Sequence, residues 1–385
     1  MKRILVAFAF ALTFGVLFAE EKVVVSNPAI KEHKGWREGH KTHKWEERSC
    51  VFSASQQQDY NIIYDACCDD SHPTERIPAE GFIGMPKPHP FNWYHHGFFS
   101  MKINGQVPFR VPLADLSVLS NGQRAIMQMV WDAPEALVQI KFMRLPEDDA
   151  IYTQTRWFPK DKVEIKSIQF HFSCYPSCFE KNGKHFAKTK TDMKYQGKES
   201  LLLDMKKNDY VFYGDEGFDA KEGKWGMSAP CYLIIDKYHL SGGSVYITNY
   251  GVATTINASA DAHEARFIFA DASNGKKNKE VIDYLDKNGA ALQNRLMETM
   301  FDSPEISLFK PEQEQKLIAK NASEAGEFCK PYKGKIDAIF KQLCDAKNSL
   351  DTVDSWKSER DFAKAYEQYR NLIMRLKIDA MMQLD

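Results

Sequence analysis

Residues 124 to 159 run RAIMQMVWDAPEALVQIKFMRLPEDDAIYTQTRWFP, and their apolar side chains recur with a period of two. In the first third, Ala125, Met127, Met129 and Trp131 share one face. In the second, Val138, Ile140 and Phe142 alternate with Gln139 and Lys141. In the last, Ile151, Thr153, Thr155 and Trp157 repeat the pattern. A period of two marks half-buried strands. The links between the three, APEA and RLPEDD, are too short for a crossover, so the stretch predicts an antiparallel meander.

The same texture continues outward from residue 98 to residue 270. In VEIKSIQFHF the apolar set changes phase between Ile165 and Ile168, which predicts a bulge. YLIID, SVYITNYGVATTINA and EARFIFA supply further strands, with SGGS at 241 to 244 as a turn. So long an antiparallel region predicts two packed sheets. After Asp271 the period changes. KKNKEVIDYLDKNGAALQNRLMETM reads as a helix broken near Asn288-Gly289, and Pro304 and Pro311 punctuate the residues after it. Ile336, Ile339, Leu343, Ala346 and Leu350 step by three and four, as do Phe362, Tyr366, Tyr369, Ile373, Leu376 and Ala380. Two such stripes predict an antiparallel helical hairpin. The expected fold is mainly β, a large antiparallel β-sandwich followed by a C-terminal α-helical hairpin. Its divisions are a signal peptide over 1–19, a charged N-terminal arm over 20–44, the sandwich over 45–303 and the helical section over 304–385.

The first segment sets the compartment. MKRILVAFAFALTFGVLFAEE places Lys2 and Arg3 before an apolar run from Ile4 to Phe18, then a small residue at Ala19. That pattern is a secretory signal, and it predicts a secreted or periplasmic protein. The run is short for a membrane span, and no later segment approaches the ~20 apolar residues a span needs. Removing Lys2 and Arg3 leaves 49 basic against 52 acidic residues. A slightly acidic chain argues against a nucleic-acid partner, because such binding depends on neutralising many phosphates. Export turns all eight cysteines, Cys50, Cys67, Cys68, Cys174, Cys178, Cys231, Cys329 and Cys344, into disulfide candidates. A Cys329 to Cys344 bridge would staple the end of one helix to the next.

No nucleophile elbow, phosphate-cradling loop or metal motif occurs. CYPSC at 174 to 178 lacks a second ligand pair. His33, His40 and His43 sit among lysines, so they read as part of a solvated arm. Asp215, Glu216 and Asp219 do not fit a calcium loop. His263 and Glu264 are neighbours on a strand and point to opposite faces. No cofactor or metal is expected, and no catalytic residue is assigned.

One cluster remains. HPFNWYHHGFFSMKING, residues 89 to 105, gathers aromatic rings and imidazoles ahead of Asn104-Gly105, a tight-turn pair that predicts a hairpin between FFSMKI and QVPFRVPL. Trp93, Tyr94, His95 and His96 would sit on a loop at a sheet edge. Aromatic rings stack on the C–H face of a pyranose while imidazoles bond its hydroxyls.

The strand texture over residues 45 to 275, above all WDAPEALVQIKF and DAIYTQTRWFP, resembles the galactose-mutarotase-like β-supersandwich proteins, a fold shared by sugar epimerases and by domains of polysaccharide lyases and glycoside hydrolases. The resemblance implies a carbohydrate ligand. It carries over no catalytic residue, since no family motif is matched. The leading expectation is an exported carbohydrate-associated binding protein, with Trp93, Tyr94, His95, His96, Trp131, Arg156 and Trp157 around the ligand. One alternative is an epimerase or lyase with a histidine acid/base. The other is a structural envelope protein that uses the helical hairpin for contacts.

Overall fold

The computed structural model describes residues 23–34, 44–55, 57–68, 81–88, 97–174, 184–216, 230–249, 251–272, 277–350 and 355–382. The meander lies at the heart of one sheet as β8 (Ala125–Asp132), β9 (Ala136–Arg144) and β10 (Ile151–Pro159). Its register pairs Trp131 with Val138 and Thr155 with Ile140. These residues share the inward face, as their alternation requires.

Among the described residues, strands form two antiparallel sheets. Sheet A begins with β1 (Val23–Val25), β3 (Lys44–Ala54), β4 (Tyr60–Cys67) and β5 (Gly81–Lys87). It continues through β6 (Phe99–Ile103), β11 (Ile168–Cys174), β18 (Val252–Ala258), β17 (Leu240–Ile247) and β14 (Leu201–Leu203). A further strand, β2 (Ala29–Lys34), pairs with β3. Sheet B runs from β13 (Met193–Tyr195) through β12 (His185–Lys188), β15 (Tyr210–Asp215), β16 (Cys231–Ile235) and β19 (Glu264–Asp271). It then takes in β10, β9 and β8 and closes on β7 (Leu113–Ser120).

Aromatic side chains join the sheets. Phe99 and Phe172 of sheet A have ring centroids 5.2 Å apart, and Phe172 meets Phe267 of sheet B at 4.8 Å. Phe170 meets Phe267 at 5.3 Å, edge to face. Such pairs add to the burial of large apolar surfaces that stabilises a sandwich. Arg144 also lies between the sheets with no exposed surface. Its guanidinium donates to the carbonyls of Phe52 at 3.1 Å and Gln58 at 2.6 Å, and to Gln57 Oε1 at 3.0 Å. Burial lowers its pKa from the ordinary value, and these acceptors compensate the desolvated charge.

Several local expectations change in three dimensions. The phase shift at Ile165 is no bulge: residues 163–167 are not strand, and β11 starts at Ile168. Asn104 and Gly105 both have positive φ (50° and 81°), and Ile103 and Gln106 exchange backbone hydrogen bonds across them. The turn therefore forms as the residue pair requires. The hairpin stops there, because a 3-10 turn over Pro108–Arg110 comes next and proline cannot donate to a ladder. SGGS lies inside β17 rather than between strands. A Cβ on Gly243 would approach the Thr255 carbonyl oxygen to 2.2 Å, so the glycine serves close strand approach. Residues 29 to 34 of the expected solvated arm pair with β3 as strand β2.

Contacts divide the chain into two units, one of 1–116 with 121–300, the other of 117–120 with 301–385. The first contains α1 (Asn278–Glu298), which runs unbroken through Asn288-Gly289. Gly289 is buried against the Tyr210 ring, which explains the glycine as a packing choice. The second unit contains α2 (Pro304–Leu308), α3 (Pro311–Ala325), α4 (Lys330–Asn348) and α5 (Ser355–Met382). Prolines open α2 and α3, where a missing N–H costs nothing. Ile336 and Leu343 of α4 pack with Phe362, Tyr369, Ile373 and Leu376 of α5, giving the expected hairpin stripe. Ala380 is a position whose side chain lies outside the described residues. No described helix is long and apolar enough to cross a membrane.

No disulfide joins the described cysteines. Cys50, Cys67, Cys68, Cys174, Cys231, Cys329 and Cys344 are thiols, none bridged to another, and Cys178 lies outside the described residues. Cys329 closes a 3-10 turn that runs directly into α4, and Cys344 lies within α4, so no second helix separates them. Fifteen residues at 1.5 Å each hold them ~22 Å apart, far beyond the ~7 Å limit for a bridge.

Candidate functional site

Because alternate residues of a strand share a face, register also sorts the polar residues of the meander. Those pointing away from the core of sheet B form two rows. In one, Gln128, Lys141, Gln154 and Arg266 lie side by side across β8, β9, β10 and β19. In the next, Val130, Gln139, Arg156 and Glu264 do the same. An ordinary solvent face would leave such side chains exposed. Instead Gln128, Gln139, Lys141 and Gln154 are all buried, at 7% exposure or less.

Hydrogen bonds organise the rows. Gln139 Nε2 donates to Gln128 Oε1 at 3.0 Å, and Gln128 Nε2 donates to Asp115 Oδ2 at 2.9 Å. At the other end Glu264 is the hub. Its Oε2 accepts from Gln154 Nε2 at 3.0 Å, its Oε1 accepts from Arg266 Nε at 2.8 Å, and the Arg156 guanidinium lies 3.9 Å away. Arg266 is held in turn by the carbonyls of Met297 and Thr299 at the end of α1. Accessibility rises toward this end: the Arg156 side chain is 37% exposed and Glu264 21%. Phe158, on the same strand face as Arg156, places its ring 5.2 Å from that guanidinium. One acceptor has no partner. The buried Oε1 of Gln139 makes no hydrogen bond, and Gln139 is the direct cross-strand neighbour of Arg156.

A histidine borders the rows. Asp236, fully buried after β16, accepts the backbone N–H groups of Tyr238, His239 and Arg266. It also accepts from His239 Nδ1 at 2.6 Å. Since a carboxylate only accepts, Nδ1 carries the proton and Nε2 is the basic nitrogen of the ring. Two deeply buried cysteines offer no comparable chemistry. Burial pushes the Cys50 thiol up to about 12 and also raises Cys231 well above the ordinary thiol value, so neither supplies a thiolate near neutral pH.

The residues expected from the sequence are divided by this geometry. Arg156 lies in the polar rows. Trp131 and Trp157 do not, because both side chains point into the core: Trp131 is fully buried 4.4 Å from Phe109, and Trp157 is 2% exposed against Phe170. Their odd positions share the apolar phase of their strands, so both rings pack in the core of the sandwich. Trp93, Tyr94, His95 and His96 lie outside the described residues. Gln128, Gln139, Lys141, Gln154 and Arg266 were not singled out from the sequence, and Glu264 was weighed only as a strand neighbour of His263. The available signal was a polar phase repeated in three short-linked strands, which alone cannot separate a solvent face from a buried polar one.

No family model matches the chain, and no curated protein matches it in sequence. Solved structures do resemble it. A TPR-domain containing protein from Parabacteroides distasonis is 8% identical with a TM-score of 0.37, over 64% of this chain and 55% of the other. The match thus spans little more than half of that protein. A candidate aldose 1-epimerase from Klebsiella pneumoniae is 8% identical with a TM-score of 0.40, over 72% of this chain and 94% of that one. For a GH36 alpha-galactosidase from Geobacillus stearothermophilus the values are 8% and 0.29, over 57% and 41%. The chemistry of the site rests on its own residues.

Proposed function

We propose that this chain is an exported carbohydrate-binding protein whose ligand lies on the outer face of sheet B, at the Arg156 and Glu264 end of the polar rows. The observation that carries this reading is the accessible Arg156 and Glu264 pair at the open end of a row of otherwise buried polar side chains. The side chains there match a polyol: a carboxylate to accept, guanidinium and amide groups to donate, and Phe158 as an apolar neighbour. In this reading residues 45–303 are the binding domain and 304–385 a separate helical section. The loop Trp93 to His96 is kept as a second contact on its composition alone.

A catalytic reading has one observation in its favour. His239, oriented by buried Asp236, shares that carboxylate with the backbone N–H of Arg266. Such a histidine suits general acid/base work on a sugar. A glycan array probed with the wild-type protein and with Arg156→Ala tests the proposal. The expected result is a defined set of oligosaccharide signals that Arg156→Ala weakens by about 5- to 100-fold. Absence of any wild-type signal, or equal signals from both, overturns it. Product analysis of an array-positive sugar after incubation decides between binding and turnover.

A further inference from the structure

A second group of chemistry-bearing side chains converges on sheet A. His33 on β2, Glu47 on β3 and Asp65 on β4 stand on three adjacent antiparallel strands. Register sets Glu47 directly opposite Asp65. His33 pairs with Trp45, two residues before Glu47, so it reaches the carboxylates on the diagonal. Its Nε2 is 3.1 Å from both oxygens of Asp65, a residue with no exposed surface.

The other ring nitrogen fixes what Nε2 can be. His33 Nδ1 lies 2.9 Å from the Lys34 carbonyl oxygen, which only accepts, so Nδ1 carries the proton. In the neutral ring Nε2 is then a lone pair aimed at a carboxylate that also only accepts. A protonated ring or a bound metal ion resolves the conflict. A carbonyl holding the far nitrogen is the usual outer support of a metal-bound histidine. The distances also suit an ion. One donor atom from each of His33, Glu47 and Asp65 lies within 4.8 Å of the others. Two ligands each about 2.1 Å from one ion stand roughly 3.0 to 3.4 Å apart, which matches the His33 to Asp65 spacing.

We propose that His33, Glu47 and Asp65 form a binding site for a divalent metal ion of the zinc type, with one imidazole nitrogen and two carboxylate oxygens as protein ligands and the remaining positions open. One nitrogen and two carboxylates suit zinc or manganese better than soft-metal chemistry. The site is independent of the sugar-binding reading, since it stands on other strands of the other sheet.

Zinc alone is the probe. The full chain, stripped with chelator, is titrated with Zn2+ by calorimetry, together with His33→Gln, Glu47→Gln and, as a control, the exposed His263→Gln. The expected result is one equivalent of Zn2+ per wild-type chain, weakened by at least about 100-fold in His33→Gln and in Glu47→Gln and unchanged in His263→Gln. Co2+ in place of Zn2+ gives a visible absorption band that His33→Gln loses. His33 is partly exposed on an edge strand and Glu47 is only half-buried, so at least one variant keeps the fold, as matched melting curves check. No binding of Zn2+ or Mn2+ by the wild type, or equal binding by a folded His33→Gln or Glu47→Gln, overturns the proposal and leaves His33 as an imidazolium paired with Asp65.

Discussion

Replacing Trp131 with alanine tests whether the meander tryptophans serve the core or a ligand. The indole has no exposed surface and packs 4.4 Å from the Phe109 ring and 5.5 Å from the Tyr64 ring. Truncating so large a buried side chain removes its transfer free energy and opens a cavity that the two flanking rings fill only in part. Losses of this kind run to about 3 to 5 kcal/mol. In a unit of this size each kilocalorie lowers the melting temperature by roughly 2 to 4 °C, so Trp131→Ala should melt about 6 to 20 °C below the wild type. Thermal unfolding followed by circular dichroism, with urea titration for the free energy, reads the effect. Trp131→Phe, which keeps an apolar ring, should recover much of the loss. A Trp131→Ala protein with wild-type stability and weakened sugar binding would refute the reasoning and return the tryptophan to the ligand.

Arg144→Leu leaves the Phe52 and Gln58 carbonyls without their buried donor and should cost about 3 kcal/mol or more in urea unfolding. Gly334→Ala in α4 meets open space and should stabilise by about 0.5 to 1 kcal/mol through helix propensity; Gly289→Ala in α1 brings a Cβ to 3.0 Å from the Tyr210 ring and should gain nothing in the same melt or lose stability. Peptide mapping without reductant should find no peptide linking Cys329 to Cys344. A chain ending at Met300 should keep a cooperative β-type melt; an unfolded product would place the helices in the same cooperative unit as the sheets.

The meander and the helical stripes were legible in the sequence because their periods, two and three to four, reflect which face each element buries. Chain direction was legible too, since links as short as APEA allow only antiparallel neighbours. Three kinds of information were not. A glycine that permits close packing, as at Gly243 and Gly289, looks the same in sequence as one that breaks an element. The division of Cys329 and Cys344 between helices depended on a boundary that Pro331 obscured, because proline in a first turn opens α4 instead of ending a helix. The burial of Gln128, Gln139 and Lys141 is a property of what surrounds the strand. Periodicity assigned these residues to the face opposite the core, and no local signal distinguishes a wet face from a dry polar one. His33 was read as part of a solvated arm and Glu47 and Asp65 escaped notice for a related reason, since the three are brought together by register across three strands.

The most direct measurement is calorimetric titration of an array-positive oligosaccharide into the wild-type protein and into Glu264→Gln, with melting curves recorded in parallel. Glu264 anchors Gln154 and Arg266 and faces Arg156, and the amide keeps its shape while removing the charge that organises them. The account predicts binding by the wild type and a loss of about tenfold or more in Glu264→Gln, with only a modest shift in melting temperature. Undiminished binding by a well-folded Glu264→Gln would contradict it, and would move the sugar site away from the outer face of sheet B.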